Sequence, residues 1–267
     1  MKSPLQDEIV CFTRCNNGNP DPAELLFRVE TAASDPLEII KDIERPRGIK
    51  RTLKANIAPW GDVCLCEYRW NPKRIMLSPF RLSRGRKAWV FHDDLKRNSV
   101  SIPEPVIFLE IKRLMFVTRT YLATRWIDGG FSVHRLALKK DCPPHPLDIE
   151  SILCTCVDVI VNLHKAGFLH GDLKWSNFLY IPTGNPHTVL TDLDSLRKSA
   201  SPSAQARDFA RFLISSEEYP LDRKTIRTLI RRYLKEMGFS RAALEEDIWK
   251  YVAARRKDIP EESCASR

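Results

Sequence analysis

Ten glycines serve the whole 267-residue chain, and in its strand-rich first half Gly48 and Gly61 stand isolated. No glycine-rich phosphate cradle therefore precedes the strands there. Long apolar runs are also missing. The greasiest stretch, Ile149 to Phe168, is cut by Asp158, His164 and Lys165, so nothing approaches the roughly 20 residues that span a bilayer. The start, Met1 to Pro20, carries Lys2, Asp7, Glu8 and Arg14 and lacks the apolar stretch of a secretory signal, so no export is expected. The eight cysteines (Cys11, Cys15, Cys64, Cys66, Cys142, Cys154, Cys156 and Cys264) form no pair of C-x-x-C motifs at zinc spacing. Reduced, structural thiols and a cytoplasmic location are the expectation. Internal repeats and low-complexity tracts are absent as well.

What is present is an ordinary globular balance, 43% hydrophobic and 29% charged, enough for a sizeable core. Lys+Arg 43 against Asp+Glu 34 gives a net charge of +9, a field that attracts nucleotides, acidic glycans or an anionic membrane surface. No nucleic-acid module accompanies that charge, and nothing in it sets an oligomeric state.

The hydrophobic period changes along the chain. Leu37 to Glu44, Ile49 to Ala55, Val63 to Trp70, Val106 to Lys112 and Met115 to Trp126 read as strands, with one basic helix from about Leu82 to Asn98. After Gly129-Gly130 comes a polar, proline-rich passage ending at Pro146. Ile149, Ile152, Leu153, Cys156, Val157, Ile160 and Leu163 then recur at helical spacing, with Gly167 as a stop. Short strands Asn177 to Ile181 and His187 to Thr191 follow. Helices are expected over Ser203 to Leu213, Asp222 to Met237 and Ser240 to Arg256, with Asp222 and Ser240 as N-caps. This predicts an N-terminal extension over 1–36, a strand-rich half over 37–128, a helical half over 129–258 and a polar tail over 259–267, an α+β arrangement.

Between the long helix and the two short strands lies His170-Gly171-Asp172-Leu173-Lys174-Trp175-Ser176-Asn177, and after them Thr191-Asp192-Leu193-Asp194. Phosphoryl transfer needs a carboxylate to orient an acceptor hydroxyl and take its proton, and oxygen ligands for Mg²⁺ bridging the phosphates. An Asp and an Asn five positions apart on one loop can serve the two tasks, and a carboxylate from a neighbouring strand end completes the metal site. Asp172 is thus the expected base, Asn177 and Asp192 the metal and nucleotide ligands, with Asp194 beside them. Lys174 is placed to offset phosphoryl charge, and His170 joins the catalytic set as a brace of the loop. Trp175 is a candidate for either sugar contact or packing. Turn and cap duty for His170, Asp172 and Asn177 is the bland alternative.

These residues resemble the protein-kinase-like superfamily, and within it the lipopolysaccharide kinase (Kdo/WaaP) family. The segment from Leu163 to Lys174 is similar to that family's catalytic loop, with Gly171 where classical protein kinases carry Arg. Asp192-Leu193-Asp194 resembles its metal segment, in place of Asp-Phe-Gly. Arg207-Asp208-Phe209-Ala210-Arg211-Phe212 resembles its next helix, which implies that Asp208 anchors the catalytic loop from below. The resemblance implies a two-lobed kinase-like fold, ATP and Mg²⁺ as cofactors, and a sugar or glycolipid acceptor, heptose or Kdo. It breaks in two places: Cys66 falls where the phosphate-gripping lysine is expected, and Ala88 or Val90 where its partner glutamate would stand. Lys54, Lys73 and Lys87 are the candidate substitutes; failing them, a non-catalytic scaffold or a protein Ser/Thr kinase is the other reading. The basic stretch from Arg69 to Arg97 suits either an anionic acceptor at the inner face of a membrane or a solvated helix face.

Overall fold

Alternation of apolar and polar side chains drives the first half of the chain into strands, and a helix-spaced apolar face drives the second half into helices. The computed structural model describes residues 7–14, 20–45, 48–141, 148–214, 221–238 and 241–255. Ser240, Cys15, Cys142, Cys264, Pro146 and the 259–267 tail lie outside the described residues. Backbone contacts divide the chain into two units, Met1–His92 with Pro103–Ile127, and Asp93–Ile102 with Asp128–Arg267.

The first unit is built on strands β1 (Glu8–Thr13), β2 (Glu38–Arg45), β3 (Gly48–Ile57), β4 (Gly61–Trp70), β5 (Pro105–Arg113) and β6 (Phe116–Arg125). Helices α1 (Pro22–Ser34), α2 (Pro72–Leu77) and α3 (Arg84–Arg97) accompany them, the division between units falling inside α3. The strands form one antiparallel sheet in the order β1-β5-β6-β4-β3-β2. Residues 8–34 are therefore not a separate extension. β1 pairs with β5 at one edge, and α1 lays Leu25, Val29 and Ala33 against Leu53, Ala55, Ile57, Val63 and Leu65. Asp21 starts α1 by accepting from the amides of Ala23 (2.9 Å) and Glu24 (3.0 Å), with Pro22 in the first turn.

The second unit contains β7 (Phe131–Ser132), α4 (Val133–Ala137), α5 (Ile149–Lys165), β8 (Phe168–Leu169), β9 (Phe178–Ile181), β10 (His187–Leu190), β11 (Arg197–Lys198), α6 (Pro202–Leu213), α7 (Arg223–Met237) and α8 (Arg241–Ala253). Asp148 caps α5, whose buried face includes Ile152, Leu153, Cys156, Val157, Ile160 and Leu163. Asp222 caps α7 through the Thr225 amide at 2.7 Å, and Gly238 ends it at φ +71°. Arg232 on α7 grips Asp158 on α5 with two bonds of 2.8 and 2.7 Å. β9 and β10 form the expected hairpin, with β7 added beside β9. Among the described residues, no helix is long and apolar enough to cross a membrane.

Candidate active site

The loop between β8 and β9 is held from beneath by one carboxylate. Asp208, on α6, accepts from the backbone amides of His170 (Oδ2, 2.7 Å) and Gly171 (Oδ1, 2.9 Å). The same Oδ2 lies 3.3 Å from Nε2 of His164, whose Nδ1 lies 2.8 Å from the Tyr233 hydroxyl. A carboxylate only accepts, so Nε2 carries a proton. Burial works to raise the pKa of Asp208, but the bonds from His164 and His170 outweigh it and hold the carboxyl below its ordinary value. Burial, reinforced by the charge on Asp208, pushes the Tyr233 phenol up. Asp208 thus holds two backbone amides of the loop, and His164, on the apolar face of α5, bonds to the same carboxylate.

Gly171 turns the chain at φ +80°, and a β-carbon there would sit 3.1 Å from the Ser195 carbonyl oxygen. That close approach explains why no side chain stands between His170 and Asp172. His170 is fully buried and donates from Nε2 to the Thr191 carbonyl at 3.0 Å. It ties the loop to the end of β10, which suits the bracing role expected of it. Trp175 is also fully buried: its indole donates to the Phe212 carbonyl at 3.1 Å and its ring packs against Phe212. Packing, not sugar contact, is its use.

Asp172 is about one-third exposed, its Oδ2 2.8 Å from Lys174 Nζ and its Oδ1 3.3 Å from Arg211 Nη2. Arg211 was not singled out from the sequence. It comes from α6, three residues after Asp208 and hence on nearly the same helix face, and that spacing was the available signal.

Asn177 is nearly buried and donates its amide to the Asp172 carbonyl at 2.9 Å, which leaves its side-chain oxygen as the group able to face a cation. Thr191 bonds twice to the Asn177 carbonyl, from its amide (2.8 Å) and from its hydroxyl (3.0 Å). Asp192 follows at once, in the left-handed conformation (φ +59°, ψ +54°) that Asp tolerates better than most residues. Asn177 thus stands opposite Thr191, one residue beyond the β9–β10 register pair of Phe178 and Leu190, and Asp192 is the next residue along the chain. Asp194, also named for the metal, is largely buried in the 3-10 turn Leu193–Ser195. Among the described residues, no cluster of three or more His, Cys, Asp or Glu could hold a metal. An amide oxygen with a carboxylate still fits Mg²⁺, a hard ion that keeps waters and phosphate oxygens in its shell.

In the first unit, Cys66 on β4 faces Thr52 on β3 (Sγ to Oγ1, 3.8 Å), Lys54 is opposite Cys64, and Lys50 is opposite Tyr68. Side chains two apart share a sheet face, so Lys50 and Lys54 flank Cys66 on the face opposite Leu53, Val63 and Leu65. Lys54 Nζ is 3.3 Å from Asp62 and 4.7 Å from the Trp126 ring centre. Ala88 is buried on α3, and Val90 is half exposed. Lys73 is exposed on α2, and Lys87 is half-buried on α3.

A family model described as the lipopolysaccharide kinase (Kdo/WaaP) family matches residues 74–233, well over half of the chain. Among solved structures, WaaP in complex with acyl carrier protein matches at a TM-score of 0.59 and 16% identity, covering 85% of this chain and 91% of that one. A double mutant of the Mycobacterium tuberculosis PknI kinase domain matches at a TM-score of 0.41 and 13% identity, over 80% of this chain and 94% of that one. No curated protein matched in sequence.

Proposed function

Because this chain belongs to the lipopolysaccharide kinase (Kdo/WaaP) family and is therefore a kinase, we propose that it transfers the γ-phosphoryl group of ATP to a hydroxyl of a lipopolysaccharide core sugar, heptose or Kdo. The observation that supports the reading is the pair of hydrogen bonds from Thr191 to the Asn177 carbonyl, which ties the residue before Asp192 to the loop that bears Asp172.

Asp172 orients the acceptor hydroxyl and takes its proton as the oxygen attacks phosphorus. Lys174, now bonded to Asp172, shifts onto the transferring phosphoryl, where it offsets charge that grows in the transition state. Arg211 holds the other carboxylate oxygen and keeps Asp172 aimed. Asn177 and Asp192 would hold Mg²⁺, which when bound neutralises the phosphates and orients the γ-group for in-line transfer. Lys54 takes the phosphate-gripping duty that Cys66 cannot perform, supported by its place on the same sheet face. The acceptor is presented as a glycolipid at the inner face of the membrane.

The test is transfer of label from γ-labelled ATP to purified lipopolysaccharide core, with a serine/threonine peptide mixture in parallel. Label in heptose or Kdo supports the reading. Label only in peptide, or ADP release without transfer to the core, contradicts it.

A further inference from the structure

Apolar side chains crowd onto one exposed corner of the first unit. Phe80 is 85% exposed, Met115 65%, Leu114 59% and Leu82 44%, and all four border the same cleft of about 670 Å³. Met76 and Leu77, on the adjoining α2, are exposed as well. The two halves of this corner are pinned together, because Ser78 Oγ accepts from the Val117 amide at 2.8 Å and donates to the Ile75 carbonyl at 2.6 Å. Leu114 and Met115 are the whole turn between β5 and β6, with Arg113 paired to Phe116. Such a two-residue tip ordinarily takes Asn or Gly. Here a leucine is held at φ +59°, a costly conformation for a residue that gains nothing by facing water.

The charge around the patch is mostly positive, although Glu8 on β1 also lines the cleft. From Asn71 to His92 the chain carries Lys73, Arg74, Arg81, Arg84, Arg86 and Lys87 and not one acidic residue. Within the cleft, Arg81, Arg86 and Lys112 surround the buried Glu110, which Arg86 approaches to 3.4 Å and Lys112 to 3.8 Å. The second oxygen of Glu110 has no hydrogen-bond partner among the described residues. A cation-lined cleft with a buried acceptor at its floor suits a phosphate head group that also carries a hydroxyl.

We propose that this corner, the Phe80 turn with the Leu114-Met115 hairpin tip, docks the protein on an anionic phospholipid bilayer. Phe80, Leu82, Leu114 and Met115 enter the acyl boundary, and Arg81, Arg86 and Lys112 meet head-group phosphates. The surface lies entirely within the first unit, and the proposal does not depend on which acceptor is phosphorylated.

Flotation of the full chain with vesicles tests it. The protein should rise with phosphatidylcholine–phosphatidylglycerol vesicles, stay behind with phosphatidylcholine alone, and be released by salt. Phe80→Ser combined with Met115→Ser should lower the partition at least about tenfold, and Arg81→Glu by about fivefold or more. Both variants should keep the parent melting temperature and ATP turnover, since the replaced side chains are exposed. A parent protein that stays out of the lipid fraction, as it would if the corner served a protein partner, overturns the proposal. So does equal binding to neutral and anionic vesicles, or variants that float like the parent.

Discussion

At position 171 the backbone is left-handed and the Ser195 carbonyl oxygen stands 3.1 Å from where a β-carbon would be. Gly171→Arg, which restores the residue of classical protein kinases, should lower stability by about 1–3 kcal/mol and depress turnover; thermal unfolding that leaves the midpoint unchanged would refute the steric account. Asp208 gives a prediction with a pH sign. Its folded carboxyl is held below the ordinary 3.8, so the stability it contributes is present above that value and lost as pH falls through the lower folded one. The stability gap between the parent and Asp208→Asn should therefore be full at neutral pH and shrink below about pH 4, as denaturant titrations would show. A gap independent of pH would point to lost packing instead. Asp172, Asn177 and Asp192 could be proposed from the sequence because phosphoryl transfer constrains both residue type and spacing. Arg211 was not singled out, because it reaches Asp172 from a helix 39 positions away and its spacing from Asp208 was the one signal to it.

Among the elements, α6 supports the site by packing as well as by Asp208. Phe209 stacks on Tyr233, and Phe212 takes both the ring of Trp175 and, through its carbonyl, the indole proton. Trp175→Ala should cost about 3–5 kcal/mol, while Trp175→Phe should retain much of that and lose the one bond. A small loss on truncation would return Trp175 to the list of substrate contacts. Lys54 belongs to this scale too, since the pleat of β3 sets its side. Lys54→Met should cut kcat/KM for ATP by about 10- to 100-fold, and adding Cys66→Lys should recover part of it. An unaffected Lys54→Met enzyme would hand the duty to another cation. Strands β2 to β6 were readable from their branched and aromatic runs. Helix α1 and strand β1 were missed although Asp21-Pro22 is a capping signal and Leu25, Val29 and Ala33 lie at i, i+4 and i+8, because exposed Phe27 and short apolar content blur the period.

For the molecule as a whole, the net charge of +9 and the lipopolysaccharide kinase family assignment point the same way, toward an anionic substrate drawn in by long-range attraction. The fold class was available from the change of hydrophobic period near Gly129-Gly130, whereas the acceptor's identity was not, because specificity depends on loops and helix faces that carry no readable code. The proposed chemistry rests on the carboxylate at 172 working with the ligands proposed at 177 and 192. The direct measurement is ADP formation with lipopolysaccharide acceptor by Asp172→Ala, alongside its thermal midpoint. A loss of about 100- to 10,000-fold in turnover with an unchanged fold is the predicted result. Parental turnover by that variant would contradict it.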